Sequence, residues 1–328
     1  MTDRPLLILD REMVRELLDP QALESAVAGA LIELSAGRAS IPPRVAPVIA
    51  ERDAQLLVMA GYLPATHALA TKTVSIFPRN ASVGKPTHQA LIVLYDAEDG
   101  SALVVMDGTH ITAARTAAAS ALATRLLARD DATILAVLGT GVQARAHATA
   151  LAEVREFAEI RIAGRDAART RSLAAALDQE ITTPVRACHG FERAVSGAHV
   201  VCLATHAAEP LLHRDWLAEG SHVTSVGLNP AGSEIGPDLV RDALVTVESR
   251  ASALAEPPAG ARELRDQRID PAEVVELGEL LAGCRVGRRD ANHLTVYKAV
   301  GVAVEDAAAA ALIYAAARGR GVGTSVTL

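Results

Sequence analysis

Two groups of residues in this chain have types and spacings suited to chemistry. The first is Gly139-Thr140-Gly141-Val142-Gln143-Ala144, entered from an apolar run over residues 134–138 and followed by a helix-forming stretch over 143–154. A strand that feeds a glycine turn at a helix N-terminus cradles a pyrophosphate on backbone N–H groups. The first Gly makes the turn, the second lets the phosphates approach, and the small Ala144 lets helix and strand pack. A second apolar run, 160–163, ends in Gly164-Arg165. An acidic residue at that strand tip would hold the ribose 2′-hydroxyl of NAD, whereas an arginine offers its fork to the 2′-phosphate of NADP. Gly139, Thr140, Gly141, Val142 and Gln143 are therefore expected to line the phosphates. Arg165 is expected to select NADP(H) over NAD(H).

The second group is three cations set among small or apolar residues. Arg44 opens a strand after Pro42-Pro43, Lys72 lies within Ala70-Thr71-Lys72-Thr73-Val74-Ser75, and Arg115 has Ala113, Ala114, Ala117 and Ala118 around it. A helix starting near Thr112 would put Arg115 in its first turn, where an anion could reach both its fork and free backbone N–H groups. Together the three could clamp a carboxylate, with Lys72 also hydrogen-bonding a reacting nitrogen or relaying a proton. The plainer alternative makes Arg44 and Arg115 surface residues and pairs Lys72 with a carboxylate. Only Lys72, Lys85 and Lys298 are lysines among 32 basic residues. Each is notable, because an amine can lose its proton in a pocket and a guanidinium cannot. The ten histidines show no metal-ligand spacing, so no metal is expected, and His88 and His206 read as structural or wall residues. The absence of a Gly-x-Ser-x-Gly elbow and of a P-loop argues against hydrolase and kinase chemistry.

These residues need elements to position them. Strands are predicted at 6–9, 44–50, 55–62, 70–77, 90–96 and 103–106, with helices at 20–36 and 112–128 and a turn at 96–100. Consecutive strands without intervening helices predict a largely antiparallel sheet. From residue 133 strands and helices alternate (133–138, 160–163, 200–204, 222–226, 243–247), which predicts a doubly wound parallel sheet. Thr205 and His206 then follow a strand end that faces a cofactor in such sheets. Residues 254–270, with Pro257-Pro258, read as a loop. A last helix over 303–317 carries Glu305-Asp306 near its start and Arg318 near its end, in keeping with the helix dipole. The fold class is thus α/β: a Rossmann-type doubly wound domain over 119–299, plus an α+β substrate-binding and dimerisation domain over 1–118, completed by residues 300–328.

At 328 residues the chain suffices for two domains, and its core is aliphatic, with 50% hydrophobic but 2% aromatic residues. A net charge of −7 speaks against a nucleic-acid or anionic-membrane partner. Cys188, Cys202 and Cys284 are too scattered for a disulfide framework and fit a reducing cytoplasm. Acidic residues interrupt the N-terminus, so no signal peptide is read there. The apolar stretch 307–317 is too short to span a bilayer.

Several segments resemble the ornithine cyclodeaminase/mu-crystallin family in family order: residues 86–96, 100–108, 111–121, 138–145, 276–280 and 295–306. The resemblance implies a homodimer paired through N-terminal domains, a C-terminal helix that returns to the first domain, and a pocket between that domain and the nucleotide domain. Carried over by position, Arg44, Lys72 and Arg115 match the residues that hold an amino acid's carboxylate. Val226 and Lys298 fall in segments that lie near the cofactor in the family, the latter read as a loop position or a domain-joining residue.

One departure stands out. Cyclodeaminases resemble one another in an acidic residue after the fourth nucleotide-domain strand, where it acts on the substrate amine and on ring closure. Here the loop reads Val226-Gly227-Leu228-Asn229-Pro230, and an amide cannot take up a proton as a carboxylate does. Catalytic candidates are Lys72, Arg115 and Asn229. The expected activity is NADPH-dependent reduction of small carboxylate-bearing imines, such as pyrroline-2-carboxylate or piperideine-2-carboxylate, to L-amino acids. Alternatives are ornithine cyclodeaminase, an alanine-type amino-acid dehydrogenase, and a non-catalytic NADPH-binding protein.

Overall fold

The computed structural model describes residues 5–229, 232–255 and 260–327. Pro230, Pro257 and Pro258 lie outside the described residues. The chain divides into two compact units, Met1–Arg115 with Gly301–Leu328, and Thr116–Val300.

The first unit is built on a seven-stranded sheet. Its strands are β1 (Leu6–Leu9), β2 (Val48–Ile49), β3 (Ala54–Leu63), β4 (Ala68–Ile76), β5 (His88–Tyr95), β6 (Ala102–Asp107) and a last strand, Thr324–Val326. From one edge the order is last strand-β1-β6-β5-β4-β3-β2. Every pairing is antiparallel except β1 with β6. Side chains alternate along β3: Leu57, Met59 and Leu63 are buried, while Val58, Ala60 and Tyr62 lie on the other face. The buried face lies against the C-terminal helix, Ala303–Arg320, which also packs on α2 (Pro20–Ser35). Gly61 lets β3 approach that helix closely, since a Cβ there would sit 2.9 Å from the Ala303 carbonyl carbon. Asp10 and Asp19 cap α1 (Arg11–Leu17) and α2 through the Met13 and Ala22 N–H groups. On the opposite face Leu91, Ile8 and Leu56 are apolar and exposed, at 54%, 41% and 39%, among the polar Thr71, Thr73, Ser75 and Gln89.

The helix carrying Arg115, α3, runs from Gly108 to Leu127. It therefore starts a full turn before the expected Thr112, and Arg115 sits inside it rather than in its first turn. The reason is a cap that sequence reading overlooked: the Asp107 carboxylate accepts the His110 N–H at 2.9 Å. An anion at Arg115 cannot then also use free helix-end N–H groups.

The second unit holds an eight-stranded sheet of parallel strands. They are β7 (Ile134–Leu138), β8 (Glu159–Ala163), β9 (Val185–Ala187), β10 (Val200–Leu203), β11 (His222–Ser225), β12 (Leu244–Val247), β13 (Val275–Glu276) and β14 (Thr295–Lys298). The order β13-β12-β14-β11-β10-β7-β8-β9 contains the doubly wound pattern in which chain direction across the sheet reverses at β7. Leu135, Val137, Leu138, Val200, Val201 and Leu203 are fully buried, each contributing about 1.5–3 kcal/mol of transfer free energy. Strand β14 is a correction. The family resemblance places Lys298 in a loop, whereas its segment is a buried strand paired with β11 and β12. The stretch expected to be a loop at 254–270 contains a short helix, Arg262–Asp266.

Candidate functional site

In the first unit the three cations gather on one segment, residues 301–306. Lys72 lies on the buried face of β4, in register with Met59 and Ile92, and its Nζ is 2.6 Å from Asp306 Oδ2. Arg115 donates through Nε to Asp306 Oδ1 at 3.2 Å and through Nη1 to Glu305 Oε2 at 2.9 Å. Arg44 donates through Nη2 to the Gly301 carbonyl at 2.7 Å. Gly301 has φ +68°, and a Cβ there would lie 2.8 Å from both terminal nitrogens of Arg115. Only glycine lets the chain turn this close beneath the guanidinium.

The cluster combines both readings made from sequence. Lys72 does pair with a carboxylate, and Lys72 and Arg115 are buried rather than surface residues, at 2% and 4% exposure. Burial pushes Lys72 down to about 8, with Asp306 opposing and Arg115 reinforcing that shift. Burial would raise Asp306, but Lys72 and Arg115 together hold it below the usual carboxylate range. Glu305 also accepts the Val302 N–H at 2.9 Å, closing the first turn of the C-terminal helix. Sequence reading gave Glu305 and Asp306 only a dipole role. Their one signal is two adjacent acids in a run otherwise made of Ala and Val, a pattern that does not name partners so distant in the chain.

In the second unit the glycine turn sits at the carboxyl end of β7 and opens α4 (Val142–Ala152). Gly139 has φ +134°, and a Cβ there would lie 2.4 Å from the Ala204 carbonyl oxygen. Gly141, the N-cap residue, supplies no side-chain cap, and a Cβ on it would meet nothing within 4 Å. Ala144 is fully buried, allowing α4 to pack on the sheet. Val142 is 68% exposed, and the Thr140 methyl packs over Gly164. Gln143 Oε1 is buried with no hydrogen-bond partner among the described residues. Uncapped N–H groups and room above Gly141 fit a dinucleotide's phosphates; the Gln143 amide oxygen, an acceptor, does not contribute to that fit. Arg165 is exposed just beyond β8, next to Asp166, which caps α5 (Ala167–Glu180).

Thr205, Val226 and Lys298 lie at the carboxyl ends of β10, β11 and β14. Thr205 and Gly227 are bound to the buried Glu234, and the Val226 N–H donates to the Leu203 carbonyl at 2.9 Å. Lys298, 1% exposed, ends β14; its Nζ lies 3.1 Å from Ser225 Oγ and 3.2 Å from Glu263 Oε1. Asn229 donates through Nδ2 to the His206 carbonyl at 3.0 Å, a bond that an ionised aspartate could not make. His206 and His88 are exposed. Sequence reading missed Glu234 and Glu263, because nothing in Ser233-Glu234-Ile235 or around residue 263 marks a buried acid.

A glycine turn at the central strand of a doubly wound sheet in one unit, and a buried cation cluster in the other, define a two-unit α/β protein of the Rossmann type. The chain belongs to the ornithine cyclodeaminase/mu-crystallin family, whose model matches residues 6–321. It is 38% identical over 275 residues to the ketimine reductase mu-crystallin of Mus musculus, covering 83% of this chain and 84% of that protein. Among solved structures it resembles Thermococcus litoralis Delta(1)-pyrroline-2-carboxylate reductase in complex with NADH and L-proline. That match has TM-score 0.93 and 33% identity, over 98% of this chain and 100% of the other. An archaeal alanine dehydrogenase dimer with bound NAD is also similar, at TM-score 0.90 and 26% identity over 98% of each chain.

Proposed function

We propose that this protein is an NADPH-dependent reductase of small carboxylate-bearing imines, cyclic ketimines of the pyrroline-2-carboxylate or piperideine-2-carboxylate type, yielding L-amino acids. The observation that carries the reading is the convergence of Arg44, Lys72 and Arg115 on residues 301–306. The cofactor, when bound, supplies the hydride. Arg44 and Arg115 hold the substrate carboxylate by charge-assisted hydrogen bonds. Lys72 has three N–H donors, of which Asp306 takes one, and it keeps the imine nitrogen hydrogen-bonded and protonated. A protonated imine makes its carbon electrophilic, and fixed orientation supplies much of the rate.

Relatives named as a ketimine reductase and a pyrroline-2-carboxylate reductase support the substrate class. Asn229, committed to a backbone carbonyl, supports reduction over the cyclodeaminase cycle. Arg165, exposed after β8, supports NADPH, although the two solved relatives hold NADH and NAD. The exposed Leu91, Ile8 and Leu56 on one face of the first sheet support a homodimer, and three free thiols support a reducing, cytoplasmic setting.

The test is NADPH oxidation with each cyclic ketimine, run beside ammonia release from ornithine and repeated with Arg165→Ala. Turnover of the imine without ammonia, and a preference for NADPH over NADH that collapses about 10- to 100-fold in the variant, is the expected result. Ammonia and proline from ornithine would overturn the reductase reading. An unchanged cofactor preference in Arg165→Ala would overturn the NADPH assignment.

A further inference from the structure

We infer that Glu234 is a positioning residue for the nicotinamide half of the cofactor, acting through the two loops that follow β10 and β11. The inference rests on the reading of the chain as a nicotinamide-dependent enzyme and deepens it.

Glu234 is 1% exposed, and its carboxylate is the meeting point of four hydrogen bonds. Oε2 accepts the Thr205 N–H at 3.0 Å and the Thr205 hydroxyl at 2.6 Å. Oε1 accepts the Ser225 hydroxyl at 2.9 Å and the Gly227 N–H at 2.6 Å. The Thr205 hydroxyl is free to donate here because its oxygen already accepts from the Ala207 N–H at 3.4 Å. Ser225 Oγ likewise accepts from Lys298 Nζ at 3.1 Å while donating to Glu234. Lys298 also donates to the Gly227 carbonyl and pairs with Glu263 at 3.2 Å. A continuous polar chain, Glu234–Ser225–Lys298–Glu263, therefore ties together the carboxyl ends of β11 and β14, and Thr205 joins that of β10.

The packing leaves no slack. A Cβ at Gly227 would lie 2.6 Å from the Glu234 carboxylate and 2.4 Å from the Thr205 carbonyl oxygen. All four partners of Glu234 come from the end of β10 or β11, on the side of β7 opposite β8. With the pyrophosphate at the turn after β7 and the ribose-selecting Arg165 after β8, the adenosine half belongs on the β8 side. The nicotinamide half belongs over β10 and β11. Glu234 thus fixes the loops beneath one half of the cofactor, and among the described residues its side-chain hydrogen bonds all go to that half.

This asymmetry supplies the test. In Glu234→Gln the side-chain amide can accept on one end only, so its NH2 must face two donors and at least two of the four bonds fail. Fluorescence titration would measure NADPH and NADH affinity, with ADP-ribose and its 2′-phosphate as probes of the adenosine half on the same preparation. The expected result is a nicotinamide-cofactor affinity about tenfold weaker, with ADP-ribose binding within about twofold of the parent protein. Ser225→Ala, a milder change, is expected to shift the same ratio by about threefold. In turnover, the primary isotope effect with 4-deuterated cofactor should rise, since a misplaced ring slows hydride transfer; a merely structural defect would lower active enzyme and leave it unchanged. Equal weakening of both probes, or no change in either, overturns the positioning role. A parent protein that binds ADP-ribose but no nicotinamide cofactor overturns the underlying reading instead, and the inference with it.

Discussion

Replacing Asp306 with Asn tests the cation cluster most directly. Asp306 is 1% exposed and joins Lys72 to Arg115, so its removal acts on both cations. Arg115 keeps Glu305 but loses one charge-assisted hydrogen bond, a cost of about 1.5–3 kcal/mol. Lys72 titrates at about 8 only because Asp306 opposes its desolvation. Without that carboxylate, burial and Arg115 push the amine's pKa further below 8. The deficit then exceeds the Arg115 part by about 1.4 kcal/mol for each pH unit below 8 over which the amine stays neutral, towards the range for breaking a buried pair. The sign follows from proton binding. Lys72 is lowered on folding, so the unfolded chain holds more protons, and stability gained from this group rises with pH towards 10.5. In the variant that window opens at lower pH. The deficit should therefore widen as pH falls below 8 and shrink above about 9 to the Arg115 part alone. Thermal unfolding at pH 6, 7 and 9 measures it, at roughly 2–4 °C per kcal/mol. A variant as stable as the parent at pH 6, or a deficit that grows towards alkaline pH, would refute the argument that Asp306 holds the charge on Lys72.

Three further outcomes are expected. Gly139→Ala should destabilise the protein by about 3 kcal/mol or more, given its positive φ and the 2.4 Å approach to Ala204; Gly141→Ala should unfold within about 1 kcal/mol of the parent yet bind NADPH at least about tenfold more weakly. Melting curves beside cofactor titrations separate the two. Cyclopentanecarboxylate has no titrating nitrogen, so its inhibition constant should be flat below about pH 7 and rise modestly above about 8 as the Lys72 charge beside the two arginines is lost; a flat profile to pH 10 would show that this charge does not act on the bound carboxylate. Leu91→Arg, on the sheet face opposite the C-terminal helix at 54% exposure, should convert a dimer to monomer in sedimentation with little loss of monomer stability.

Residues 134–144 illustrate what local sequence carries. The apolar strand, the two glycines and the small Ala144 are neighbours in the chain, and their backbone demands are local, so the turn and its chemistry are legible without a fold. Alternating and helical periodicities likewise disclose most strands and helices, and hence both sheets. Two features escape such reading: Thr295–Lys298 is defined as a strand by its pairing between β11 and β12, and α3 starts early because Asp107 caps it. Arg44, Lys72 and Arg115 stand out by type in their own segments, and family resemblance groups them. The partners that set their chemistry are another matter. Lys72 meets Asp306 only because β3, β4 and β5 lie against the C-terminal helix, and Glu234 collects its four donors only because β10 and β11 end side by side. Sequence by itself determined where the cations and the glycine turn would be. Tertiary structure alone decided which carboxylates hold them, because desolvation and ion pairing depend on distances that neighbouring residues in the chain do not encode.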